Sequence, residues 1–76
     1  MTSKPRLLLL TRPECGLCEE FRVELEQAFP GRFEIEEACV DDDAEWARRW
    51  GLKIPVLLDS SGALLCATRF DADSLT

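Results

Sequence analysis

The sequence predicts an α/β fold: elements in the order β-α-β-α-β-β, a four-stranded mixed sheet, and a truncated C-terminal helix. Three observations predict it. Residues 6–11 (RLLLLT) form a continuous apolar run with the length of a fully buried strand. From Leu17 to Phe29, apolar residues recur every three or four positions, the period of an amphipathic helix. Residues 55–59 (PVLLD) and 63–69 (ALLCATR) flank Ser60-Ser61-Gly62, the pattern of two strands joined by a tight turn.

Each element has its own warrant. Residues 1–4 read as a frayed leader. Leucine favours helices, so the strand at 6–11 is assigned from its length and flanking prolines, and Pro13 discourages helix at Arg12. The first helix starts at Cys15. Its apolar stripe is Leu17, Cys18, Phe21, Leu25, Ala28 and Phe29, its other face is rich in glutamate, and Val23 falls off the stripe. Pro30-Gly31 ends it. Phe33 to Glu36 alternate as a strand with one wet face. The alternation falters at Glu36-Glu37 before the apolar Ala38-Cys39-Val40, which fits either a bulge or deepening burial. With Asp42 as N-cap of a second helix, Glu45 falls at the capping-box position. Trp46 and Trp50 share a packing face, and Gly51 suits the C′ position. The closing "FDADSLT" starts a helix at Asp71 or Asp73 that ends after about one turn. Each strand–helix–strand passage is long enough for a parallel crossover, and the last turn makes an antiparallel hairpin.

A chain of 76 residues has room for one core, so residues 1–76 are expected to be a single domain. The hydrophobic fraction of 46% argues against disorder, and the net charge of −6 argues against nucleic acid or an anionic membrane as partner. The "LLLL" run is too short for a signal peptide or a membrane span, which leaves the cytosol as the expected compartment. There are four cysteines and no histidine. A tetrahedral zinc site needs four ligands and is disfavoured here, so no metal is expected. A Cys-x-x-Cys after a strand in a βαβ pattern reads as a redox pair.

The element order gives that pair its chemistry. Cys15 falls at a helix N-terminus beyond a strand end, where unpaired N–H groups and the helix dipole favour an anion such as a thiolate. Arg12 adds positive charge; Glu14, Glu19 and Glu20 oppose it, and the expected balance is a moderate gain in thiolate. Residues three apart on a helix lie close enough for a disulfide after a small adjustment, which Gly16 eases. Cys15 is then the exposed nucleophile and Cys18, one turn deeper, the resolving thiol. If the third strand runs antiparallel to the first, Pro55 lies beside Cys15. A cis Ile54–Pro55 bond costs little and would turn the Ile54 backbone toward an extended substrate.

"LLLLTRPECGLCEEF" and "WGLKIPVLLDSSGALL" resemble the two signatures of the thioredoxin/glutaredoxin superfamily, most nearly its short glutaredoxin-like branch of small bacterial proteins. The resemblance spans nearly the whole chain. It implies a thioredoxin-like fold and a thiol–disulfide oxidoreductase in which Cys15 attacks, Cys18 resolves, Pro55 is the cis-proline and Ile54 pairs with substrate. It also implies a sheet that keeps Cys39 and Cys66 on opposite edges. Three departures weigh against glutathione specificity. Gly16-Leu17 replaces Pro-Tyr, Lys53-Ile54 replaces Thr-Val, and Arg69-Phe70-Asp71 replaces Gly-Gly-Asp. Lys53 or Arg12 are the residues to hold a glutathione carboxylate. No cofactor is required; the expected partners are a protein disulfide or a glutathione mixed disulfide, with glutathione as co-substrate. The shortened last helix points to a second copy or another partner on the sheet face it leaves open. The competing class is a binding or adaptor module that kept the fold without the activity.

Overall fold

A computed structural model of the chain describes residues 4–75; Met1 to Ser3 of the expected leader, and Thr76, lie outside the described residues. Its strands are β1 (Arg6–Thr11), β2 (Glu34–Cys39), β3 (Val56–Leu58) and β4 (Leu64–Ala67), with helices α1 (Gly16–Ala28) and α2 (Ala44–Trp50). The sheet order is β2-β1-β3-β4. β1 pairs parallel with β2 and antiparallel with β3, and β4 returns antiparallel to β3. Cys39 and Cys66 therefore sit on opposite edge strands.

The central place of β1 explains its run of leucines, since both of its faces are covered. Leu7 and Leu9 meet Phe21 and Leu25 of α1, together with Leu57 and Cys66. On the other face Leu10 joins Val40, Val56 and Leu58, with Trp46 and Trp50 of α2 packed against them. Leu9, Leu10, Val56 and Leu57 are completely buried. Each such side chain contributes roughly 1.5–3 kcal/mol relative to remaining exposed, so the two apolar layers, not surface charge pairs, hold β1 in the centre.

Several local expectations are corrected. β2 runs in unbroken register from Arg6↔Glu34 to Thr11↔Cys39, so there is no bulge at Glu36-Glu37. Glu37 pairs across from Leu9, on the α1 side of the sheet, and takes Arg22 of α1 as its ion-pair partner. Asp43, not Asp42, caps α2, because Val40–Asp42 wind into a 3-10 turn first. Gly51 is right-handed (φ −55°), not the left-handed C′ residue. A Cβ there would collide with the Ala47 carbonyl and lie 3.1 Å from Arg12 Nη2. That glycine serves close approach rather than a turn.

β3 and β4 are shorter than expected. The register slips between Leu57 and Leu58, and Asp59 gathers the hairpin, its Oδ1 accepting from Ser61 N at 2.8 Å and Ala63 N at 3.0 Å. Leu17 and Ala28 are exposed, so the apolar stripe of α1 is narrower than its periodicity suggests. The C-terminal element is a 3-10 turn at Ala72–Leu75, led by Asp71, which accepts from Asp73 N at 3.1 Å. Phe70 stands edge-on to Phe21 at 5.6 Å, and with Leu75 it packs on the α1 side of the core. Among the described residues no helix is long and apolar enough to cross a membrane.

Candidate active site

β1 delivers the chain to one end of the sheet. Arg12, Pro13 and Glu14 then turn it into α1, with Glu14 in the left-handed region (φ 58°). Cys15 is the N-cap of α1, in extended conformation, and its Sγ accepts from the Cys18 N–H at 3.2 Å. The first turn of a helix has N–H groups with no partner inside the helix, and here a sulfur answers one of them. Cys15 and Cys18 are disulfide-bonded, with Cα atoms 5.3 Å apart. Cys15 is half-buried, while Cys18 is 4% exposed and belongs to the buried face of α1. A Cβ added at Gly16 would meet nothing within 4 Å, so the approach to the pair is open on that side.

Pro55 lies at the same end of the sheet. The register that sets Leu10 against Val56 brings Pro55 level with the last residue of β1. Pro55 is buried, and the Ile54–Pro55 peptide bond is cis. Among the described residues no hydrogen bond engages the N–H or carbonyl of Ile54, while both neighbours are tied down. Lys53 N donates to Trp50 O at 2.8 Å, and Thr68 N donates to Pro55 O at 2.8 Å. Thr68 Oγ1 donates to Lys53 O at 3.1 Å.

Arg12 and Lys53 are placed differently. Arg12 Nε donates to Asp41 Oδ2 at 3.0 Å and Nη2 to Asp41 Oδ1 at 3.2 Å. Its Nη1 donates to Gly51 O at 2.8 Å. The planar fork thus joins the loop before α1 to the end of α2. The hydrogen bond from Arg12 holds the Asp41 carboxyl below the ordinary carboxylate value, and the same bond raises Arg12 further. Lys53 is exposed, its Nζ 6.0 Å above the Trp50 ring.

Cys39 is half-buried at the end of β2, whereas Cys66 is buried, its Sγ 3.5 Å from the Asp71 carbonyl. No group of three or more Cys, Asp or Glu among the described residues converges as metal ligands would. Sequence reasoning missed Thr68, Asp41 and Gly51 as supports of this end. Thr68 has a left-handed backbone (φ 70°), which nothing in a Thr predicts. Asp41 was hidden inside an aspartate run that reads as a solvated cap.

The family model described as Glutaredoxin-like domain (DUF836) matches residues 6–76. Protein XcR50 from X. campestris, known from an X-ray structure, is 38% identical, with a TM-score of 0.70 over 91% of this chain and 88% of that one. Protein Ne2328 from Nitrosomonas europaea, solved by NMR, is 23% identical, with a TM-score of 0.75 over 99% of this chain and 91% of that one. A malarial protein is 15% identical, with a TM-score of 0.58 over 96% and 90% of the two chains. The last two likenesses speak for the fold alone. No curated protein matches the chain. A family match over nearly the full length, on a thioredoxin-like sheet with a Cys-x-x-Cys pair at the head of its first helix, makes this chain a member of the glutaredoxin-like domain family.

Proposed function

We propose that the chain is a thiol–disulfide oxidoreductase. The observation that carries the reading is the Cys15 sulfur at the N-cap of α1, accepting from the Cys18 N–H and bonded to the Cys18 sulfur. In the reduced protein the Cys15 thiolate attacks one sulfur of a substrate disulfide. A mixed disulfide forms and one substrate thiolate leaves. The Cys18 thiolate then attacks the Cys15 sulfur, releasing the second substrate thiolate and leaving the Cys15–Cys18 disulfide. Two electrons have passed from protein to substrate, and two molecules of a thiol such as glutathione return them, leaving joined as a disulfide. The unpaired backbone groups of Ile54 support a role in aligning an extended substrate beside Pro55. Lys53, the exposed cation of this segment, is assigned to a substrate carboxylate; Arg12 reaches one only by giving up contacts to Asp41 or Gly51.

The test uses purified protein, a peptide–glutathione mixed disulfide and excess glutathione. Wild type accelerates reduction, Cys15→Ser lowers the rate to background, and Cys18→Ser accumulates a Cys15 adduct visible by mass spectrometry. Equal inertness of wild type and Cys15→Ser toward several disulfides would leave the adaptor reading in its place.

A further inference from the structure

Charge is distributed unevenly along α1. Near its C-terminal half, Glu26 and, from β2, Glu37 share Arg22. The carboxylates of Glu19 and Glu20, in the turn next to the dithiol, and of Glu24, one turn further along α1, make no ion pair or hydrogen bond among the described residues. Two large apolar side chains stand exposed among them: Leu17 at 57% and Val23 at 51%. The surface is hollowed. A groove of about 400 Å³ runs between α1 and the segment after β4, lined by Leu17, Glu20, Phe21, Glu24, Arg69 and Phe70. A second hollow adjoins it through Glu20 and Glu24, and Gly16 and Val23 line its floor. Leu17 in the groove and Gly16 in the adjoining hollow are the two residues between Cys15 and Cys18 in the chain, so both hollows reach the first turn of α1, which carries the disulfide. Arg69 on the far wall offsets one of the three carboxylates.

We propose that this face of α1 selects the substrate: it docks a disulfide-bearing polypeptide segment carrying Lys or Arg beside an apolar residue. The apolar side chain lies over Leu17 and Phe70, and the cationic ones meet Glu19, Glu20 and Glu24. Unpaired carboxylates beside apolar surface attract cations and repel anions over a screening length of about 10 Å at moderate salt. Glutathione, with two carboxylates and one ammonium, has the wrong net charge for this surface. The inference rests on the oxidoreductase reading and goes beyond it to the class of substrate.

The experiment is a single-turnover reduction by the pre-reduced full-length protein at low ionic strength. Its substrates are two cyclic peptide disulfides of equal length, one flanked by Lys and Leu and the other by Glu and Leu, with neutral bis(2-hydroxyethyl) disulfide as reference. Each peptide rate is divided by the same protein's rate on the neutral reference. That ratio removes any change in intrinsic thiol reactivity when glutamates are replaced. The Lys peptide should be oxidant to the dithiol about tenfold faster than the Glu peptide. The difference should shrink with added NaCl and fall to within about twofold in the E19Q/E20Q/E24Q variant, once its electrostatic source is gone. Equal ratios for the two peptides in wild type, or a preference that survives both salt and the triple substitution, would overturn the proposal. If wild type fails even on the neutral disulfide, the oxidoreductase reading is what falls. The docking surface is then judged by fluorescence anisotropy with a serine-for-cysteine copy of the Lys peptide. Salt-sensitive binding that the triple variant loses supports it, and no binding overturns it.

Discussion

The two helix N-termini of this molecule are capped by different chemistry. At α2, Asp43 Oδ1 accepts from Glu45 N at 2.8 Å and from Trp46 N at 3.2 Å, so one carboxylate satisfies two orphan donors. At α1, the Cys15 sulfur accepts from one donor, Cys18 N, at 3.2 Å. Carboxylates are strong caps and their charge complements the helix dipole, whereas a sulfur is a weak acceptor until it ionises. The helices differ in what else holds them. α1 has 13 residues and buries Cys18, Phe21 and Leu25, while α2 has 7 residues and buries none completely. The long helix is secured by packing and can leave its N-cap to a weaker acceptor, a cysteine sulfur. The short one depends on its cap. The sulfur cap sits where local polar pairing is least needed.

The largest effect expected from this contrast lies in the packing of α1. Leu25 is 1% exposed beneath the helix. Leu25→Ala should cost about 2–5 kcal/mol through lost burial and the cavity left behind, read by urea unfolding. A loss below about 1 kcal/mol would mean that packing is not what secures α1. At α2 the expected loss is smaller and comes from the cap. Asp43→Ala should cost about 1 kcal/mol and Asp43→Asn much less. Trp46, whose backbone N–H donates to the cap, and Trp50, at the other end of the helix, give a fluorescence readout of α2. An alanine variant as stable as the asparagine one would contradict the dependence of α2 on its cap.

The same contrast explains what the chain made legible. The strand–helix–strand order, the central apolar strand and the N-cap position of Cys15 follow from periodicity and punctuation. These are local signals, and the burial of Leu7, Leu9, Leu10, Phe21 and Leu25 obeys them. What was not legible depends on partners distant in sequence. Asp42 offered the better capping-box spacing, but Val40–Asp42 close a 3-10 turn that hands the cap to Asp43. Arg12 suggested a free cation beside Cys15. Its fork instead finds Asp41 and the Gly51 carbonyl, 29 and 39 positions away. The left-handed Thr68, which ties β4 to the segment holding Pro55, follows from tertiary constraint and leaves no mark in composition.

A third prediction exchanges the cap chemistry itself. Serine is among the preferred N-cap residues, and its hydroxyl is a better acceptor than a thiol. Under reducing conditions Cys15→Ser should therefore be at least as stable as wild type, by up to about 1 kcal/mol, while losing activity. A reduced Cys15→Ser protein clearly less stable than reduced wild type would show that the sulfur already contributes as a strong cap, and the contrast between the two N-termini would close.

The smallest expected effect is in acid, and it tests the tie between the two N-termini. Arg12 precedes the turn into α1 and Asp41 precedes the cap of α2, so their ion pair spans both. Asp41 is held below the ordinary value of 3.8, first by its hydrogen bond from Arg12. A carboxyl lowered in the folded state binds its proton more readily when unfolded. Its stabilisation is present above the unfolded value and is lost as pH falls through the lower folded value. Stability should therefore decline below about pH 3.9, and Asp41→Asn should flatten part of that decline while lowering stability at neutral pH. Asp59, also lowered, chiefly by the Ser61 hydroxyl, belongs to the distant hairpin. Its share of the acid slope should persist in Asp41→Asn and disappear in Asp59→Asn. Both groups are exposed, so each change is small, and thermal melts between pH 2 and 5 compared across the two variants give the measurement. An Asp41→Asn curve parallel to wild type throughout would mean that the Arg12 fork does not link the two helix ends energetically, whatever its geometry.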